Sequence, residues 1–240
     1  MANAKFDSLA TGYDLYQSCY PRVLIEDIRR FLPTKDACTV ADIGAGTGIA
    51  LEGLIPALGN DHSYYAVGIS SDMIAHSRAK FPAVRWCLGK AEDVVPNLPV
   101  LDLILAAQSF QWMDRQPLAA ALPKLSSQGI FALLQNNCDF SHNTFLDEYE
   151  TLLEAMNPDY NRYYRHFNFQ TDLAAAFSCA CHAIAFKQHC WHTWLPVRVF
   201  VGMSQSSGSA GNERRRLSLS EATRQPVGQL SARGQSGVAL

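Results

Sequence analysis

The chain has 240 residues, 48% of them hydrophobic and 18% charged, a composition that fills one sizeable core with a modest cap and excludes both wholesale disorder and two full-sized domains. A formal charge of -2 leaves no electrostatic footprint for a phosphate backbone, so the expected partner is a small molecule and not nucleic acid. No stretch approaches the roughly 18 apolar residues of a membrane span, Met1 to Thr11 lacks a signal-like apolar run, and seven cysteines scattered from Cys19 to Cys190 fit free thiols, so a cytoplasmic protein with no membrane partner is expected.

In chain order, Pro21 stands where a helix begins, and Leu24, Ile25, Ile28, Phe31 and Leu32 follow at helical spacing before Pro33 stops the run. Cys38 to Ile43 reads as a short apolar strand, followed by a glycine turn and a helix through Ile49, Leu51, Leu54, Ile55 and Leu58 that Gly59 ends. The alternation continues with a strand at Tyr64–Ile69, a helix at Asp72–Phe81, strands at Val84–Leu88 and Leu101–Ala107, a helix at Pro117–Leu125 and a strand at Gly129–Gln135. Strands joined by helical crossovers predict a doubly wound, Rossmann-like α/β fold with a mainly parallel sheet and helices on both faces. Such sheets bind ligands at the carboxyl ends of their strands, where the strand order reverses.

From about His142 to Phe177 the pattern is helical and aromatic, with Tyr149, Tyr160, Tyr163, Tyr164, Phe167 and Phe169, and reads as a small cap over the site or as further core. Ala183 to Cys190 reads as one more strand. After Met203 the composition turns to Ser, Gly, Gln and Arg, with Arg214, Arg215 and Arg216 in a row. Residues 1–203 are therefore expected to form the domain and 204–240 a poorly packed tail, in which only Gly237-Val238-Ala239-Leu240 could start a strand.

The segment Val40-Ala41-Asp42-Ile43-Gly44-Ala45-Gly46-Thr47-Gly48 sets three glycines between a strand and a helix. Glycine suits a sharp turn whose backbone a ligand approaches closely. A dinucleotide fingerprint wants glycine where Ile49 stands, and a phosphate-binding Walker loop wants Lys and Ser or Thr where Ile49-Ala50 stands. No G-x-S-x-G nucleophile turn is present. Cys179, Cys181, His182, His189, Cys190 and His192 crowd one stretch, but Cys179-Ala180-Cys181-His182 is too tight to bring its members to one point, and no metal is expected.

The Asp42 to Gly48 run resembles the first motif of class I S-adenosylmethionine-dependent methyltransferases, and further segments resemble the trans-aconitate methyltransferase type. These are Ala66-Val67-Gly68-Ile69-Ser70-Ser71-Asp72-Met73, Gly89-Lys90-Ala91-Glu92, Ala107-Gln108-Ser109-Phe110-Gln111-Trp112-Met113-Asp114, and Tyr13 to Tyr20-Pro21. The resemblance covers roughly residues 4 to 137. It implies S-adenosylmethionine as cofactor and, as its contacts, Tyr13, Gln17, Asp42, Gly44, Ala45, Gly46, Gly48, Ile69, Ser70, Met73, Ala91, Glu92 and Gln108. Asp42 would orient the turn or meet the methionine amine. The Ala91 N–H and the Glu92 carboxylate would meet the adenine, and Tyr13 and Gln108 would border the methionine end. Trp112 reads as a core aromatic or as a face for the sulfonium.

Three positions depart from the family pattern. Gly68 stands where an acidic residue would hold the ribose, Gln17 where Arg is usual, and Gln111 where His is usual. Gln cannot serve as a general base, so catalytic candidates are Tyr13, Gln111 and Asn136 without an assigned role. The expected activity is methyl transfer to a small-molecule acceptor, in a pocket formed by the cap aromatics and Asn136 or Asn137. Two other readings stay open: a lyase or cyclase acting on the aminobutyrate arm of the cofactor, and a non-catalytic cofactor-binding paralogue.

Overall fold

A computed structural model of the chain describes residues 19–115, 118–119, 122–163, 185–206 and 230–239. Tyr13, Gln17, residues 164–177 of the expected cap, Cys179 to His182 and Arg214 to Arg216 lie outside the described residues.

The first described helix, α1 (Arg22–Phe31), opens on Pro21 and turns Leu24, Ile25 and Ile28 into the core. Leu32 ends it in an extended conformation (φ -67°, ψ 145°), which the following Pro33 imposes on the residue before it. Strand β1 (Thr39–Ile43) is buried from Val40 onward, and α2 (Ile49–Leu58) leaves the glycine turn and stops at Gly59, whose φ of +113° suits glycine. There follow β2 (Ser63–Gly68), α3 (Ser71–Lys80), β3 (Arg85–Leu88), a single-turn helix α4 (Ala91–Val94), β4 (Leu101–Ala107) and β5 (Leu125–Cys138). Ser70 caps α3 by accepting from the Met73 N–H. Of the helix expected at Pro117–Leu125, Leu118 and Ala119 are helical, whereas Leu122–Lys124 form a 3-10 turn around Pro123 and Leu125 already belongs to β5.

The sheet has seven strands in the order β3-β2-β1-β4-β5-β7-β6. Strands β3, β2, β1, β4 and β5 run parallel, as the alternation of elements predicted. The chain moves outward from β1 to β2 and β3 and then returns to the other side of β1 as β4, so the strand order reverses between β1 and β4. One face buries Leu24, Ile28, Leu51 and Leu54 against Val40, Leu103 and Leu105. The other buries Val95, Leu98, Leu118 and Leu122 against Ala41, Ile43, Ile104 and Ala106. Strand β1 is thus covered on both sides, which explains its burial from Val40 through Ile43, Asp42 included.

The expectation for the carboxyl-terminal region is corrected. The expected boundary at Met203 falls inside helix α6 (Val197–Ser206), which follows β6 (Phe186–Leu195). The last strand, β7 (Leu230–Ala239), is ten residues long and lies antiparallel between β5 and β6, so the presumed tail completes the sheet. Its sequence, LSARGQSGVA, has Leu230 and Val238 as its large apolar residues and reads poorly as a strand. A strand with a neighbour on each side receives both hydrogen-bond ladders from the backbone, and this tertiary setting outweighs side-chain propensity.

Helix α5 (Thr144–Met156) and α6 pack through Phe145, Tyr149 and Phe200, with ring centroids 5.0 Å apart for Phe145–Phe200 and 4.8 Å for Tyr149–Phe200. Ser204 donates to the Tyr149 hydroxyl across the same contact. Tyr149 therefore serves helix packing, the core alternative for the cap aromatics. Arg162 folds the segment after α5 back onto it through Glu154 and Asp147.

Candidate cofactor site

The reversal point between β1 and β4 is occupied by two turns, Gly44–Gly48 after β1 and Gln108–Met113 after β4. Gly44, Gly46 and Gly48 all have left-handed backbones, with φ of +70°, +56° and +80°. Their surroundings differ. A Cβ on Gly44 would lie 2.4 Å from Ser109 Cβ, and one on Gly48 would lie 2.8 Å from Phe81 Cε2. A Cβ on Gly46 would meet only Met73 Sδ, at 3.8 Å. Gly44 and Gly48 are thus demanded by the protein's own packing, and Gly46 presents the backbone that an outside group can approach. Ala45 donates its N–H to the Val67 carbonyl (2.9 Å) and accepts from Gly48 (2.8 Å), so its polar groups tie the turn to β2.

Asp42 sits two residues before the turn, 1% exposed, with no hydrogen-bond partner for either carboxyl oxygen. Burial raises its carboxyl from 3.8 to about 8. Thr47, also buried, has an unpartnered Oγ1. Unpaired buried polar atoms are costly, and several in one place mark a region that a polar ligand can complete.

The turn after β4 carries a second group of them. Gln108 is the one non-glycine residue with positive φ (+53°) among the described residues, a strained conformation held by its N–H to the Leu134 carbonyl (2.9 Å) and its side-chain amide to the Asn136 carbonyl. Gln111 Nε2 donates to the Gln108 carbonyl at 2.9 Å. In both residues the amide nitrogen is used on backbone and Oε1 is left buried without a partner. Gln111 and Asn136 are therefore brought together through Gln108. On β5 the buried Gln135 Nε2 and Asn137 Oδ1 also lack partners. Gln135 is absent from the sequence expectations; its signal is a run of amides closing an apolar strand, Leu134-Gln135-Asn136-Asn137.

On the β2 side, Ile69 is half-buried, and Ser70 and Met73 are buried. Ala91 heads α4 and is buried; Glu92 Oε1 accepts from the Asp114 N–H (2.6 Å), joining the loop after β3 to the loop after β4. Trp112 is 54% exposed at this edge, and the reading of it as a core aromatic is corrected: Phe110, packed edge-on against Phe131, fills the core position. His189, considered as a metal ligand, bonds Asp27 on α1 at 2.7 Å.

Gly68 has an ordinary backbone, and its missing Cβ would point at Ile74 Cγ1, 3.7 Å away, which belongs to the core under α1 and α2. A Cβ there makes ordinary van der Waals contact with Ile74.

The donor and acceptor inventory fits an S-adenosyl ligand: an acidic group and amide oxygens for a methionine ammonium, open backbone at Gly46, and Glu92 beside Ala91 for an adenine. Comparisons with known proteins agree. Residues 40–128 match the family model described as a methyltransferase domain. A malonyl-[acyl-carrier protein] O-methyltransferase of Marinomonas sp. (strain MWYL1) is 28% identical over 111 residues, 45% of this chain and 40% of that relative, so the matched region spans less than half of either protein. Among solved structures, a candidate type II methyltransferase from Anaeromyxobacter dehalogenans superposes with a TM-score of 0.65 at 20% identity, over 93% of this chain and 97% of the other. The plantazolicin methyltransferase BpumL, solved in complex with SAH, superposes with a TM-score of 0.57 at 15% identity, over 99% and 93%. Fold and sequence match agree on the same strands and turn: residues 40–128 are similar to a methyltransferase domain, and they lie on a Rossmann-like α/β sheet.

Proposed function

We propose that the protein transfers the methyl group of S-adenosylmethionine to a small-molecule acceptor. The observation that carries this reading is Gly46, a left-handed glycine at the strand-order reversal whose Cβ direction meets only Met73 Sδ. The cofactor supplies an activated methyl group on a sulfonium, and the protein's part is to bind, orient and exclude water. Gly44 to Gly48 would present backbone to the methionine end, Asp42 would balance its ammonium charge, and Ala91 and Glu92 would meet the adenine. Tyr13 and Gln17, carried over by resemblance, would border the methionine.

At the acceptor side, Gln108, Gln111 and Asn136 are amides and take up no proton near neutral pH. They supply no general base, so they suit an acceptor whose attacking atom already bears a basic lone pair. A carboxylate oxygen meets that condition, and the sequence resemblance to the trans-aconitate type supports such an acceptor. The β5 end and α5 would form its pocket.

Labelled S-adenosylmethionine incubated with the protein alone, and then with panels of small carboxylates, alcohols and amines, tests this. Mass spectrometry should find a methylated acceptor and S-adenosylhomocysteine together. Cofactor breakdown with no acceptor would replace the proposal by the lyase or cyclase reading, and tight binding with no turnover by the non-catalytic one.

A further inference from the structure

Asp42 combines three properties that the binding role alone does not explain: it is 1% exposed, both oxygens lack partners, and its strand neighbours Ala66 and Leu105 belong to the apolar core. Among the described residues, the charged groups on the elements packed around it are committed elsewhere or exposed. On α1, Asp27 binds Arg30 and His189, Glu26 binds Arg22, and Arg29 is exposed. On α2, Glu52 pairs with Lys80 and accepts from the Cys19 thiol. On β4, Asp102 binds Lys35 near the opposite end of the strand, and on β2 the Tyr64 hydroxyl donates to the Gly59 carbonyl. The glycine turn and the segment Gln108–Met113 carry no titratable side chain. Burial is the sole cause of the rise in the Asp42 carboxyl to about 8. In the free protein at neutral pH it therefore holds its proton.

We propose that Asp42 makes cofactor binding proton-coupled: it is neutral in the free protein and releases its proton to the bulk buffer when an S-adenosyl ligand settles at the Gly44–Gly48 turn. The O–H bond of the carboxyl breaks, the proton passes to buffer base, and the new carboxylate charge is balanced by the ligand's ammonium. This rests on the cofactor site proposed above. Because the free protein binds the proton and the complex does not, affinity rises with pH by close to tenfold per unit below about pH 8 and levels off above it.

The test is calorimetric titration of the full chain with S-adenosylhomocysteine in buffers of different ionisation enthalpy, from pH 6 to 9. The expected result for the wild type is release of about one proton near pH 7, fading toward pH 9. Asp42→Asn, which keeps the shape and cannot titrate, reports the ligand's own proton exchange and should lack that release. If the wild type binds with the same proton count as Asp42→Asn, or with a count that does not change between pH 7 and 9, the coupling is overturned while the cofactor site stands. Should the Asn variant fail to bind, the wild-type pH series alone decides. Failure of the wild type to bind S-adenosylhomocysteine at any pH overturns the cofactor site itself.

Discussion

Ser109 stands directly against Gly44: its Oγ donates to the Ile43 carbonyl at 2.7 Å, and its Cβ occupies the space that a Gly44 side chain would need. The turn after β4 is thereby clamped onto the turn after β1. Gly44→Ala should cost about 1–2 kcal/mol for the left-handed backbone and about 1–3 more for overpacking. Gly46→Ala carries only the first cost, because its Cβ meets nothing closer than 3.8 Å. Thermal unfolding should therefore rank Gly44→Ala below Gly46→Ala, while S-adenosylhomocysteine binding is lost in Gly46→Ala with the fold intact. Equal unfolding temperatures for the two variants would dismiss the clamp.

Gly68 gives a second prediction. Its Cβ direction leads to Ile74, so Gly68→Ala should leave stability and cofactor affinity near wild type. Gly68→Glu would place a carboxylate in the core under α1 and α2, at a cost of several kcal/mol unless it neutralises. It should unfold earlier and bind the cofactor no better. A Gly68→Glu protein with tightened affinity would restore the ribose-acceptor interpretation of that position.

Much of this arrangement is legible in the sequence for physical reasons that are local. The glycine turn, the helix stop at Pro33, the cap at Gly59 and the alternation through β5 all arise from backbone preference and period, which each segment carries by itself. What escapes is set by distant partners. The strand β7 is built from Ser, Arg, Gly and Gln and exists because β5 and β6 flank it. The direction of Gly68 and the exposure of Trp112 depend on which face of the sheet each loop crosses. The division of labour among three glycines spaced two apart depends on Ser109 and Phe81, neither adjacent in sequence to the turn.

Asp102 anchors the other end of the sheet, where it accepts from the Thr39 N–H (2.8 Å) and the Ser126 hydroxyl (2.9 Å) and pairs with Lys35 (2.6 Å). Burial pushes its carboxyl upward, but the Lys35, Thr39 and Ser126 hydrogen bonds and the Lys35 charge together hold it below the usual range. A carboxyl depressed on folding contributes stability above its unfolded pKa of about 3.9, and that contribution is lost as pH falls through the folded value. Asp102→Asn should therefore be less stable than wild type at pH 7, and the gap should shrink on acidification below about pH 4. Denaturant unfolding at pH 7 and pH 3 measures both; a gap that widens in acid would contradict the assignment.

Asp42 predicts the opposite dependence. Its carboxyl is raised on folding to about 8, so the unfolded chain ionises it from about pH 4 upward while the folded chain keeps the proton. The contribution to stability is complete below the unfolded value and is lost as pH rises through the folded one, between about pH 4 and pH 8. In Asp42→Asn that loss is removed, since the amide does not titrate. Without cofactor, the variant should match the wild type near pH 4 and exceed it by pH 8 to 9, read as the difference in unfolding temperature across a pH series. Saturating S-adenosylhomocysteine should reverse the order above pH 8, because the ligand binds the carboxylate form and the Asn variant has none to offer. Wild-type and Asp42→Asn curves that run parallel from pH 4 to pH 9 without ligand would show that Asp42 is ionised in the free protein and overturn the buried neutral carboxyl.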